Sequence, residues 1–173
     1  MAPLSRIAPC LWFDGQAEEA AKYYTGIFKN SKITNVNRYG TAGFEQHHQP
    51  AGTVLTVRFE LDGQQFIALN GGPEFKFNEA ISLMINCATQ DEIDYYWSKL
   101  TPGGDPSAQV CGWLKDKYGV SWQVAWDKMD ELWKDEKSPE YARAMEAMMK
   151  MKKIDIAELK RAYEGAGELV GHH

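Results

Sequence analysis

The side chains able to do chemistry are few and scattered. Three cysteines stand at positions 10, 87 and 111 with no CxxC pair, so sequence neighbours build neither a zinc motif nor a dithiol redox centre. Cys10 and Cys87 fall within apolar runs and read as small buried hydrophobes. Cys111 is followed four residues later by Lys115, and a nearby cation lowers a thiol pKa. On a strand, however, those positions lie about 13 Å apart, and no fixed imidazole is offered as a base. Covalent catalysis is therefore disfavoured. The imidazoles outside the C-terminal tail are His47 and His48. Adjacent residues of an extended chain point opposite ways, so this pair reads as a solvated surface feature, although a loop could bring both to one ion with Glu45.

Polar groups on apolar strands are more informative. Asn70, Ser82 and Gln123 sit in otherwise apolar runs, where a polar side chain must find a partner or face water. A wet cleft would supply that water. Aromatic residues could line it: Trp12, Phe75, Phe77, Trp113 and Trp122. Glu79, Cys111 and Lys115 add polar groups. All of these except Lys115 are the candidate ligand-binding residues; no catalytic residue can be assigned.

The elements that must position them come from an internal repeat. Cys10 to Tyr24 runs in register with Ser82 to Tyr96, 72 positions on, and each copy reads as an apolar strand followed by an acidic-capped helix. A second echo links Leu61–Leu69 to Lys117–Ala125, an apolar strand after a glycine turn. The first module (residues 1–80) is expected to hold a strand over 7–13, a helix over 16–28 and strands over 33–39, 53–61 and 65–69, with 40–52 a loop. Asp62-Gly63 predicts a hairpin turn. The second, shorter module (residues 81–127) reads as a strand over 81–87, a helix over 90–100 capped by Thr89, and strands over 108–115 and 120–126. Residues 128–173 form a helical extension: a short helix over 128–133, one started by Ser138-Pro139, and one capped by Asp155 and ended by Gly165. Its run Ala144-Met-Glu-Ala-Met-Met reads as a packing face, and alternatively as a surface that docks on a partner protein. Gly171-His172-His173 resembles a cloning remnant.

Composition narrows the class. The chain has 173 residues, 44% hydrophobic and 12% aromatic, enough for a proper core. Its net charge is −5, with no basic stretch interleaved with aromatics, so nucleic acid is not an expected partner. No signal peptide and no apolar run of membrane-spanning length is read. With an odd set of unpaired cysteines, a reduced cytoplasmic protein is expected.

Several motifs together resemble a known family. Pro9-Cys-Leu-Trp-Phe-Asp-Gly, Ala68-Leu-Asn-Gly-Gly-Pro, Phe75-Lys-Phe-Asn-Glu-Ala-Ile-Ser82, Cys111-Gly-Trp-Leu-Lys-Asp-Lys-Tyr-Gly-Val-Ser-Trp-Gln123 and Met148 to Ala157 are similar to the PhnB-like subgroup of the vicinal oxygen chelate superfamily. That subgroup carries the label 3-demethylubiquinone-9 3-methyltransferase domain. The resemblance implies an α+β fold in which two βαβββ-type modules form a glyoxalase/bleomycin-resistance-like curved sheet, here with added C-terminal helices. It also implies a homodimer. Metal-dependent members take ligands from the first and last strands of each module. The matching positions here are Ala8, Pro9 or Cys10, Ile81 or Ser82, near Ile67, and Gln123. None is a histidine or carboxylate, so neither a metal nor another cofactor is expected. No glycine-rich GxGxxG turn for S-adenosylmethionine follows a strand. The expectation is a metal-free dimer binding a small aromatic or amphipathic molecule in an aromatic-lined cleft. The alternative is an enzyme on a small molecule, methyltransferase-like or metal-assisted.

Overall fold

The structure is a computed structural model and describes residues 3–165; the terminal Gly171-His172-His173 lies outside them. The chain divides into two units, Met1–Phe77 and Asn78–His173.

The first unit contains β1 (Cys10–Phe13), α1 (Ala17–Ile27), β2 (Lys32–Arg38), the single turn α2 (Phe44–His47), β3 (Val54–Leu61) and β4 (Gln64–Asn70). Strand order is β1-β4-β3-β2, with β1 parallel to β4 and the other pairs antiparallel. The 3–4 spacing of Ala17, Ala20, Ala21, Tyr24 and Ile27 buries one stripe of α1. Three alanines let the helix approach the sheet closely. Tyr24 stacks on Phe59 at 6.2 Å between ring centroids, and Phe59 on Phe66 at 5.4 Å. Burying a ring such as Phe59 contributes about 2 kcal/mol. Asp62 and Gly63 both take positive φ, 49° and 84°, as the expected two-residue hairpin requires. The segment expected to be wholly loop instead carries α2. Gly43 and His48 bracket it at φ 78° and 55°, and the His47 ring packs on Tyr39 at 4.5 Å.

The second unit contains β5 (Leu83–Cys87), α3 (Gln90–Leu100), a 3-10 turn (Pro106–Ala108), β6 (Trp113–Lys115), β7 (Ser121–Trp126), α4 (Met129–Leu132), α5 (Pro139–Met149) and α6 (Ile156–Glu164). Its sheet has the order β5-β7-β6, with β5 parallel to β7. The repeat is visible here: in each unit the first strand lies parallel to the last. The strand expected over 108–115 shrinks to three residues. Cys111 and Gly112 take φ of 51° and 84°, which breaks the extended chain before Trp113. The caps expected at Thr89 and Asp155 form, and Ser138 caps α5 in the same way, the side-chain oxygen of each accepting the N–H three residues on.

The helical extension is tied to the second sheet through the backbone. Cys111 N–H donates to Met151 O and Gly112 N–H to Lys152 O, both at 2.8 Å. A side chain at Gly112 would meet Val124 O at 2.9 Å and Ile154 at 3.0 Å, so this contact and the positive φ both require glycine. The Gln90 amide joins α3 to the extension, donating to Ile154 O and accepting from Ile156 N–H. Of the methionine-rich face of α5, only Ala144 is buried, and Met149 is well exposed. No helix among the described residues is long and apolar enough to cross a membrane.

Candidate functional site

Alternation along β7 separates two kinds of residue. Trp122, Val124 and Trp126 are buried, while Gln123 and Ala125 are half-buried on the opposite face. That second face is where the polar candidates meet. Gln123 pairs with Met84 on β5 and with Trp113 on β6. Its Nε2–H donates to Ser82 Oγ at 2.9 Å. Two residues along the ladder and on the same face, Lys115 stands opposite Ser121. The Lys115 ammonium forms an ion pair with Glu79, from the segment preceding β5. The hydrogen bond from Lys115 and its charge hold the Glu79 carboxyl below its ordinary pKa.

A cavity of about 350 Å³ lies here, lined by Glu79, Ala108, Val110, Trp113, Leu114, Lys115 and Ser121. Ser121 was not among the residues singled out from sequence. It is 2% exposed, and its Oγ is the one buried side-chain polar atom without a hydrogen-bond partner among the described residues. The parity of β7 was the available signal, since Ser121 lies two residues from Gln123 and therefore on its face.

The remaining candidates are placed elsewhere. Trp12 on β1 donates from Nε1 to Gly72 O at 2.9 Å and meets Phe75 edge-on at 4.8 Å. Phe75 itself is exposed, and Phe77 packs edge-on against Phe13 at 5.3 Å. Asn70 is buried within the first unit: Oδ1 accepts from Ala17 N–H at 2.9 Å and Nδ2 donates to Val54 O at 3.0 Å. Trp122 is 2% exposed and donates from Nε1 to Asp116 Oδ2 at 2.9 Å. The Cys111 thiol faces α5, with Met148 O at 3.3 Å and Met149 Sδ at 3.9 Å. His47 is engaged in its own loop, with Nε2 at 3.0 Å from Ala42 O and Nδ1 accepting from Gln49 N–H.

A groove not anticipated from sequence, about 440 Å³, lies in the first unit between β2, β3, β4 and the segment holding Leu4 and Ala8. Gln65 secures that segment, accepting from Ser5 N–H and donating to Pro3 O.

The thiols divide by burial. Cys87 is fully buried, which pushes its pKa up to about 12, reinforced by the nearby Glu92 and Asp127 charges. Cys10 is exposed as a residue, yet desolvation of its thiol on the sheet raises its pKa against the pull of Arg58. For Cys87 the folded state holds the proton more tightly than the unfolded chain. Its contribution to stability is complete below the ordinary thiol value of 9.0 and is lost as pH rises from there toward 12. Iodoacetamide at about pH 8 is expected to leave Cys87 unmodified in native protein and to modify it in denaturant, read by peptide mass spectrometry. Equal labelling rates in both states would show that the strand does not shield it.

Comparison with known proteins places the chain. The family model described as 3-demethylubiquinone-9 3-methyltransferase matches residues 5–125. A PhnB protein of Bacillus cereus bearing the same family description is 37% identical, matched over 70% of this chain and 99% of its own, with a TM-score of 0.60. Protein PA1353 of Pseudomonas aeruginosa shares the fold at 20% identity, over 72% of this chain and 98% of its own, with a TM-score of 0.54. FosX of Listeria monocytogenes, a genomically encoded fosfomycin resistance protein, matches at 15% identity over 76% and 98%, with a TM-score of 0.43. No curated protein matches by sequence. The chain belongs to the PhnB-like 3-demethylubiquinone-9 3-methyltransferase family of the vicinal oxygen chelate superfamily. Its α+β fold is of the glyoxalase/bleomycin-resistance kind, with one βαβββ unit, a second unit shorter by one strand, and C-terminal helices.

The groups this family implies can be tested against the donors present. Among the positions that the resemblance makes equivalent to ligands (Ala8, Pro9 or Cys10; Ile81 or Ser82; near Ile67; Gln123), the side chains with donor atoms are the Cys10 thiol, the Ser82 hydroxyl and the neutral Gln123 amide, the last two hydrogen-bonded to each other. Among the described residues no three of His, Cys, Asp and Glu gather to hold a metal. A divalent ion with carboxylate or imidazole ligands does not fit this set. S-Adenosylmethionine in the usual methyltransferase manner does not fit either. Each unit has one parallel strand pair, and its remaining strand pairs are antiparallel, rather than forming a doubly wound sheet with a glycine-rich first turn.

Proposed function

We propose that this protein binds a small aromatic or amphipathic molecule, without a metal, on the polar face of the second sheet. The observation that carries the reading is one face of β7 and β6 on which Trp113, Lys115 and Ser121 line one cavity, the Ser121 hydroxyl having no hydrogen-bond partner among the described residues, and on which the Gln123–Ser82 hydrogen bond lies beside them. An apolar pocket with a few convergent polar groups is the usual form of a small-molecule site. Trp113 supplies a flat apolar wall, and Gln123 and Ser82 offer groups that can exchange their mutual hydrogen bond for one to a ligand. We further propose a cytoplasmic homodimer. Strand β2 supports the dimer, because it is the last strand of its sheet and most of its residues are exposed.

The test is a titration of isotopically labelled protein with small aromatic acids and alcohols, following the Trp113 indole N–H and the Gln123 side-chain amide by NMR. Saturable shifts at both, weakened about tenfold by Gln123→Leu, are expected. Shifts confined to the first unit, or no saturable response to any compound, would overturn this reading. Elemental analysis of protein lacking His172 and His173 accompanies it, and one equivalent of a divalent ion would favour metal-assisted chemistry instead.

A further inference from the structure

Resting on that reading, we infer that the cavity selects an anionic oxygen: its ligand is a small carboxylic acid with an apolar body, held by Lys115 and Ser121, with Glu79 as the group it displaces. The argument starts from the hydroxyl. Burying a hydroxyl without a partner costs free energy, and Ser121 is buried with none among the described residues while lining a cavity. A ligand acceptor would satisfy it.

The second observation is its cross-strand neighbour. Lys115 and Ser121 are directly paired on β6 and β7, so their side chains emerge within about 5.5 Å at Cβ. Both residues line the cavity; the Ser121 hydroxyl is covered in the free protein and reaches a ligand there by rotation about χ1. The Lys115 side chain is 24% exposed, whereas its partner Glu79 is 63% exposed. The cation is thus the inner member of the pair and the carboxylate the rim member. An ammonium has three donors, and exchanging an exposed carboxylate for a ligand carboxylate keeps its charge compensated. Ala108, Val110, Trp113 and Leu114 make the rest of the wall apolar. A cavity of about 350 Å³ is near the lower end of small-molecule pockets, so the acid is small.

Benzoate and benzyl alcohol are the probes, since they share a ring and differ in the anionic group. Wild-type protein is expected to bind benzoate at least about tenfold more tightly, read at the Trp113 indole N–H. Lys115→Met should abolish that preference and leave benzyl alcohol nearly unchanged. Glu79→Gln should tighten benzoate several-fold by releasing Lys115, an outcome that a purely structural ion pair would not produce. Ser121→Ala should weaken benzoate about fivefold while leaving the melting temperature unchanged or higher, because no hydrogen bond of the free protein is lost. Equal binding of the two probes at Trp113 would overturn the anion site but leave the proposed function standing. Binding of neither would overturn both. A clear fall in melting temperature on Ser121→Ala would show that the hydroxyl serves the fold, and would overturn its assignment to a ligand.

Discussion

Asp116→Asn is expected to destabilise the protein by about 3 kcal/mol, a large loss for an exchange of one oxygen for an NH₂ group. Asp116 is 2% exposed at the turn between β6 and β7. Its Oδ1 accepts from Tyr118 N–H at 2.9 Å and Val120 N–H at 3.1 Å, and its Oδ2 accepts from the Trp122 indole N–H at 2.9 Å. Three donors converge on a group that, when ionised, only accepts. Asparagine can keep its oxygen toward the two backbone N–H groups, but its NH₂ then faces the indole N–H, donor against donor. Turning the amide over moves the conflict to the backbone. Removing the acceptor altogether, with Asp116→Ala, is expected to cost about 4 kcal/mol. Urea denaturation followed by tryptophan fluorescence measures both. Trp122→Phe supplies the control: it deletes the indole N–H, so the Asp116→Asn loss should be smaller in that background. Additive losses would show that the carboxylate acts only on the turn.

Some of this was legible in the sequence. The 72-residue repeat locates β1 with α1 and β5 with α3, and the spacing of alanines in α1 identifies its buried face. Asp62-Gly63 fixes its hairpin from local chemistry alone, and Thr89 and Asp155 cap helices as their positions suggest. These features depend on near neighbours in the chain. What escaped depends on long-range packing. The short strand β6 is set by positive φ at Cys111 and Gly112, and Gly112 is needed because Val124 and Ile154 crowd it. The Cys111 and Met148–Ala157 motifs looked like separate signatures, yet residues 111 and 112 hydrogen-bond directly to 151 and 152. The candidate site shows the same division. Gln123 and Ser82 stand out as polar residues in apolar runs, and they meet. Ser121 is just as short and polar, but it begins a strand after a glycine turn, where a serine excites no attention. Only the cover over its hydroxyl distinguishes it.

Asn70 carries the last prediction, and it shows why a polar residue on an apolar strand need not belong to a ligand site. The first residue before α1, Gln16, makes no side-chain capping bond, although the opening N–H groups of any helix need acceptors. Asn70 supplies one from a strand 53 residues away, accepting from Ala17 N–H, and its NH₂ donates to Val54 O. Its own carbonyl accepts from the Tyr39 hydroxyl at 2.6 Å. One buried amide therefore joins α1, β3 and β4. Asn70→Leu, similar in size, should cost about 3 kcal/mol, because it strands a buried N–H and a buried C=O together. Asn70→Asp keeps the acceptor for Ala17; ionised, it sets an oxygen against Val54 O, whereas protonated in this buried site it still donates to that carbonyl. It should cost less than the leucine. Hydrogen exchange at Ala17 adds a local reading: faster exchange in Asn70→Leu than in Asn70→Asp is expected. If both variants lose the same stability and expose Ala17 equally, the cap is not what holds the helix, and packing of the alanine stripe must suffice.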